Sequence, residues 1–307
     1  MNPRPAIAQC GVCGSTGLIP LFEARDRNFR TTDQVFVVHR CPACGIAQTL
    51  PMPSQDQLAG FYPPAYYPTG GMKPDYYRRR ILPAQQEKLD LLLRFRSSGR
   101  LLDAGCGAGF FVRAAADGGF QAEGLEMSAD AVAFGIRENG VRITHGNLLE
   151  AHFPHGSFDV VTLWHVLEHL PRPVETLRRV RMLLSEGGIL VTAVPNFASL
   201  QARVFRSRWY HLEVPRHLYH FTPNALRRLL EAEHFHVVGD SCTSGEHNWA
   251  GIMGSIAPLS APEGNMVGRL IRIVAGRPLA RGAAALESAL GRGGTFALVS
   301  RKAATPQ

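Results

Sequence analysis

The stretch Leu101-Leu-Asp-Ala-Gly-Cys-Gly-Ala-Gly109 limits the possible folds of this chain more than any other segment. An apolar run at 101–104 enters glycines at 105, 107 and 109, and an apolar pattern of helical spacing over 110–116 follows at once. Glycines so placed permit a tight strand-to-helix turn, close packing of helix on strand, and approach of a ligand to bare backbone. Such a turn needs a sheet around it, and the flanking sequence provides one. Residues 85–95 predict an amphipathic helix with Leu89, Leu92 and Leu93 on one face. Strands are predicted at 121–126, 141–144, 159–163 and 189–194, the last ended by Pro195. Helices are predicted at 129–138, capped by Ser128, and at 174–184. A further helix at 223–232 has Thr222 as its cap and Pro223 at its first position. Strands at 236–240 and 295–301 complete the series. Alternation of this kind predicts a doubly wound α/β sheet.

Three regions differ in pattern. Residues 1–50 hold two Cys-x-x-Cys pairs and short β-prone runs at 18–22 and 35–38. Residues 51–83 form a connector rich in Pro, Tyr and Gly, which excludes a long helix or a central strand. Residues 84–307 carry the alternating pattern, with a late insertion at 246–292. Of 307 residues 45% are apolar and 19% charged, which excludes a disordered or collagen-like chain. No stretch of about 18 residues is free of charges and turn formers, so no membrane span is expected. Residues 1–9 lack a long apolar run, so a secretory signal is not expected either, and a cytoplasmic location is.

Cys10-x-x-Cys13-Gly14 and Cys41-x-x-Cys44-Gly45 make two similar knuckles. Tetrahedral zinc takes four thiolates, two from each tight turn, and four thiolates leave no open coordination position. A structural zinc site at Cys10, Cys13, Cys41 and Cys44 is therefore expected, with a redox dithiol as the competing reading. Cys106 reads as a small residue within the glycine turn, and Cys242 as core or loop.

Asp103 lies two positions before the first glycine, where a pyrophosphate-binding turn has no use for a carboxylate. It suits a ligand with a positive group, such as the amine of a methionine moiety. Glu126, 21 residues after Gly105, ends the next strand and can accept both hydroxyls of a ribose. Asn147 follows the third strand, in reach of an adenine.

With these acids, Phe-Asp-Val-Val-Thr-Leu-Trp-His-Val-Leu-Glu-His-Leu (158–170) and Pro-Arg-His-Leu-Tyr-His-Phe-Thr (215–222), the chain resembles class I S-adenosylmethionine-dependent methyltransferases. The resemblance is to the bacterial group with an N-terminal zinc-binding module. It implies a Rossmann-like seven-stranded sheet with an antiparallel last strand and a small N-terminal zinc ribbon. It also implies S-adenosylmethionine as cofactor, in a pocket of Asp103, Gly105, Cys106, Gly107, Gly109, Glu126, Met127, Asn147, Leu148 and Trp164. Amine methyltransferases usually carry Asn/Asp-Pro-Pro-aromatic after the fourth strand. Here that position reads Leu163-Trp-His-Val, which favours an oxygen or carbon acceptor.

His217 is the first candidate for a general base, His165 the second, and His220 the third. His165, Glu168 and His169 are spaced i, i+3, i+4 and would share one face of a helical turn. Some quinone and RNA methyltransferases carry Glu-x-x-Glu-His there and bind a divalent metal. His165 in first place weakens a hard-oxygen site, so the favoured reading has Glu168 and His169 capping or bracing the helix and His165 lining the cofactor pocket. Tyr62, Tyr66, Tyr67, Tyr76 and Tyr77 either close over the acceptor or pack the linker. Residues 267–274 show helical period with arginines on one face, read as a covering helix in preference to a membrane-surface one.

The formal charge is +8, from thirty Arg and three Lys against 25 acids. Only Arg78–Arg80 form a run, so a solvated surface explains most of it. The expected partner is a small-molecule or glycan acceptor, anionic if the charge has a function. Nucleic acid is not expected. An RNA methyltransferase and a non-catalytic, cofactor-bound scaffold are the alternatives.

Overall fold

The computed structural model describes residues 8–66, 81–241, 245–256, 282–283, 285–287 and 290–303. Strands β1 (Ile19–Ala24), β2 (Phe36–Arg40) and β3 (Ala47–Leu50) belong to the N-terminal region. The alternating region supplies β4 (Gly99–Ala104), β5 (Phe120–Glu126), β6 (Ile143–His145), β7 (Phe158–Trp164) and β8 (Leu184–Pro195). It ends with β9 (Tyr219–His220), β10 (Phe235–Ser241) and β11 (Thr295–Lys302). Seven strands form one sheet in the order β10-β11-β8-β7-β4-β5-β6. Its neighbours from β6 to β8 are parallel, while β11 runs antiparallel to both β8 and β10. This is the expected doubly wound sheet with an antiparallel last strand.

A central parallel strand is covered on both faces and so reads as continuously apolar. In β4, Leu101 faces the core beneath the helix Leu82–Leu93, with Leu89, Leu92 and Phe111, whereas Leu102 faces the opposite core with Leu163 and Leu190. The helix buries Leu89, Leu91 and Leu92, while Leu93 is exposed. Ser128 and Thr222 cap their helices through bonds from Ala131 N–H and Ala225 N–H. The strand expected at 141–144 starts two residues later, at Ile143.

The second sheet has the order β1-β2-β3-β9. Its fourth strand comes from the alternating region: β9 pairs antiparallel with β3, Ala47 opposite His220 and Gln48 opposite Tyr219. The two regions also share one core, in which Phe36, Val38 and Ile46 pack with Leu163, Leu218 and Phe221. Among the described residues no helix is long and apolar enough to cross a membrane. Tyr67, Tyr76, Tyr77, Arg78–Arg80, Cys242 and the expected helix at 267–274 lie outside the described residues.

Candidate active site

The carboxyl ends of β4, β5 and β7 meet at the glycine turn. Thr162 on β7 donates its hydroxyl to Asp103 Oδ1 at 2.6 Å. Burial raises the Asp103 pKa to about 6, against the opposing Thr162 bond and Lys88 charge. Lys88 reaches in from the helix Leu82–Leu93, its Nζ 5.8 Å from the Phe111 ring centre and 5.2 Å from that of Trp164. Sequence reasoning missed Lys88, although it is one of only three lysines beside thirty arginines.

Glu126, at the end of β5, is fixed by backbone. Its Oε2 accepts from Gly107 N–H at 2.9 Å and its Oε1 from Ser128 N–H at 2.8 Å. Gly107 has φ +55°, and no atom lies within 4 Å of where a Cβ would stand, so a ligand can lie against bare backbone there. Burial, with the Asp103 and Glu126 charges, pushes the Cys106 thiol well above its ordinary pKa, so it stays protonated. Met127 is exposed beside Glu126, Leu148 and Trp164 are buried, and Asn147 Oδ1 accepts from Leu149 N–H. Such a donor set could hold an ammonium at Asp103 and a vicinal diol at Glu126.

The second group of polar residues lies beyond β7 and β8. The helical turn expected over 165–169 is reduced to a short 3-10 helix, Leu167–His169. His165 stands outside it at φ +58°, a left-handed conformation that costs a non-glycine residue of order 1 kcal/mol or more. Its N–H donates to Ala193 O of β8, and its ring, 27% exposed, places Nδ1 3.4 Å from Glu168 Oε1. Burial and the Lys88 charge hold the His165 pKa down at about 3, so the ring is neutral at pH 7. Glu168 is fully buried with neither carboxylate oxygen hydrogen-bonded, and burial raises its pKa to about 7. His169 Nδ1 meets the Tyr62 hydroxyl at 2.9 Å.

His217 joins this group from the other segment, its ring packed edge-on against His169 at 4.5 Å. It is buried, and its Nδ1 is 2.9 Å from His211 O, where an Nδ1–H would donate. Ligand atoms of Glu168, His169 and His217 lie within 4.8 Å of one another, a group that does not include His165. His220 is buried, with Nε2 3.0 Å from Thr49 Oγ1. Arg216 braces this loop, a role open to it from the sequence, but through partners the sequence does not reveal. Arg216 is fully buried, donates to both Asp26 oxygens at 2.7 and 3.0 Å, and also bonds Phe61 O and Glu213. A buried guanidinium far from its partner in sequence leaves no local pattern to read.

The four knuckle cysteines converge, with their sulfurs within 4.8 Å of one another. Cys10 and Cys44 sulfurs are 3.7 Å apart, Cys13 and Cys41 sulfurs 3.5 Å. Zinc–sulfur bonds of about 2.3 Å in a tetrahedron put sulfurs about 3.8 Å apart, so the group fits that ion. The knuckles match each other: Gly14 N–H bonds Cys10 O and Gly45 N–H bonds Cys41 O, both at 2.9 Å, with both glycines at positive φ.

Residues 76–239, more than half of the chain, match the family described as a methyltransferase domain, and the protein belongs to that family. A ubiquinone biosynthesis O-methyltransferase of Sodalis glossinidius is 35% identical over 111 residues, covering 33% of this chain and 44% of that protein. One of the same name from Vibrio cholerae is 34% identical over 96 residues, covering 29% of this chain and 39% of its own. The chain thus spans less than half of these relatives' length. A solved S-adenosylmethionine-dependent methyltransferase from Archaeoglobus fulgidus shares the fold, with TM-score 0.52 and 21% identity over 74% of this chain and 97% of its own.

Proposed function

We propose that the methyl group goes to an oxygen or carbon of a small-molecule, sugar-nucleotide, glycan or lipid-linked acceptor. The names of the curated relatives favour oxygen. In this reading Asp103 holds the methionine ammonium and Lys88 its carboxylate. Glu126 takes the ribose hydroxyls, and Met127, Asn147 and Leu148 flank the adenine. Gly105, Cys106, Gly107, Gly109 and Trp164 line the rest. Bound S-adenosylmethionine supplies an electrophilic sulfonium methyl. The protein's part is to align the acceptor and, for a hydroxyl, to remove a proton. Zinc at Cys10, Cys13, Cys41 and Cys44 is structural, and those thiols suit a reducing, cytoplasmic setting.

The placement of His165 carries the assignment of the base. It is held in a strained conformation at the end of β7, next to the glycine turn, with a quarter of its side chain exposed. His217 and His220 are buried and bonded to His211 O and Thr49, which suits bracing better than proton transfer. His165 therefore moves ahead of His217 on access. With burial and the Lys88 charge holding its pKa at about 3, it accepts the acceptor hydroxyl's hydrogen bond as that proton departs and does not retain the proton. His165→Ala should lower turnover by about 10²–10⁴ with cofactor affinity near normal, and His217→Ala by less. Full turnover in both variants contradicts a histidine base.

A second reading rests on Glu168, whose buried carboxylate has no hydrogen-bond partner. With His169 and His217 it would hold a divalent cation. Metal analysis separates the readings: a second metal per chain, lost in Glu168→Gln, supports the cation.

A further inference from the structure

Both knuckles lean on the segment that carries His217. Tyr219 runs from β9 past the first knuckle, its ring and hydroxyl filling the space a Cβ on Gly11 would need, and donates to Pro171 O at 3.2 Å. Pro171 directly follows the loop of Glu168 and His169. Gln48, opposite Tyr219 in the sheet, accepts from Gly11 N–H and donates to Gln9 O, both at 3.0 Å. The second knuckle is tied at Cys44 O, which accepts from Arg228 on the helix Pro223–Ala232 at 2.9 Å.

Six residues beyond the second knuckle's first cysteine, β3 begins, and its third residue, Thr49, is fully buried. The Thr49 hydroxyl donates to His217 O at 2.8 Å and stands 3.0 Å from His220 Nε2. Thr49 N–H donates to Leu218 O at 2.9 Å, and Leu218 N–H passes on to Glu168 O at 2.8 Å. One strand edge of the cysteine module thus sets the backbone of both loops that carry the candidate site, 165–171 and 215–220. Each knuckle is tied to the alternating region by at least one contact, Gly11 beside Tyr219 and Cys44 O with Arg228.

We propose that the cysteine module is a built-in part of the methyl-transfer site, with Thr49 and Tyr219 as positioning residues that carry the knuckle geometry to His217 and Glu168. The proposal rests on the methyl-transfer reading above. Misplacement of reacting groups by an ångström costs about 10²-fold in rate, so the coupling should be visible in turnover.

Two measurements on the full chain test it. Hydrogen exchange is followed with zinc bound and after chelation. The expected result is faster exchange at the amides of Leu218 and His169, with the Gly107 and Gly124 amides still protected. Unchanged exchange at 165–171 and 215–220 overturns the proposal. So does loss of protection throughout β4 and β5, which would make the metal a requirement of the whole fold. This readout needs no acceptor and stands even if the methyl-transfer reading fails. The second measurement compares Thr49→Val with Thr49→Ser. Thr49→Val should lower kcat about 10–100-fold with cofactor Kd unchanged, and Thr49→Ser, which keeps the hydroxyl, should restore it. Wild-type kcat in Thr49→Val, or equal loss in both variants, overturns it.

Discussion

Asp103→Asn should make the protein more stable and deprive it of cofactor affinity. The carboxyl is 3% exposed, and burial raises its pKa to about 6 from 3.8. A raised acid contributes stability that is fully present below pH 3.8 and is lost as pH rises through about 6, so at pH 7 the ionised group is a cost. A shift of about two pK units corresponds to about 3 kcal/mol, which Asn removes while still accepting from Thr162. Thermal unfolding should then move up by about 3–8 °C at pH 7. The same change removes the charge proposed to hold the ammonium, and calorimetry should show affinity for S-adenosylmethionine down about 10–100-fold. Wild-type affinity should itself weaken as pH falls through about 6. Higher stability with unchanged affinity contradicts the role given to Asp103.

Asp26→Asn should have the opposite sign. Asp26 and Arg216 have fully buried side chains joined by two hydrogen bonds. Removing one charge leaves the other buried without compensation, at a cost of about 3–5 kcal/mol. Burial pushes the Asp26 pKa up, but the Arg216 bonds and charge outweigh it and hold it at about 2. An acid so depressed contributes stability present above pH 3.8 and lost as pH falls toward 2. Denaturant unfolding should show the loss, and the double variant Asp26→Asn, Arg216→Met should recover much of it. No change in stability at pH 7 contradicts the pair as the clamp between β1 and the 213–217 loop.

What could be read from the sequence was local. The glycine turn, the strands around it and the caps at Ser128 and Thr222 follow from residues within a few positions of one another. Glu126 could be placed at a strand end, but its bonds to Gly107 and Ser128 could not be foreseen. The pairing of β9 with β3 leaves no mark in the sequence, because two residues carry no periodicity and the partner strand lies about 170 positions earlier. Helical spacing over 165–169 misled for a related reason. The i, i+3, i+4 pattern is satisfied by residues that fold as a left-handed residue followed by a 3-10 turn. Leu91 and Leu93 exchanged their expected exposure, since a helix docked on a sheet buries a stripe whose edge packing decides. The Arg surplus predicts solvated helix faces, and Arg178, 62% exposed and paired with Glu233, sits on one, while Arg216 is fully buried against Asp26.

Titration calorimetry with S-adenosylmethionine on the full chain tests the central claim most directly, because cofactor binding at the turn of Asp103, Gly107 and Glu126 underlies everything else. Binding at one site per chain is expected, with Kd in the range of about 1 μM to 1 mM. It should be weakened in Glu126→Gln and Asp103→Asn and unaffected in His165→Ala. No heat of binding in wild type, or equal affinity in all four proteins, would contradict it.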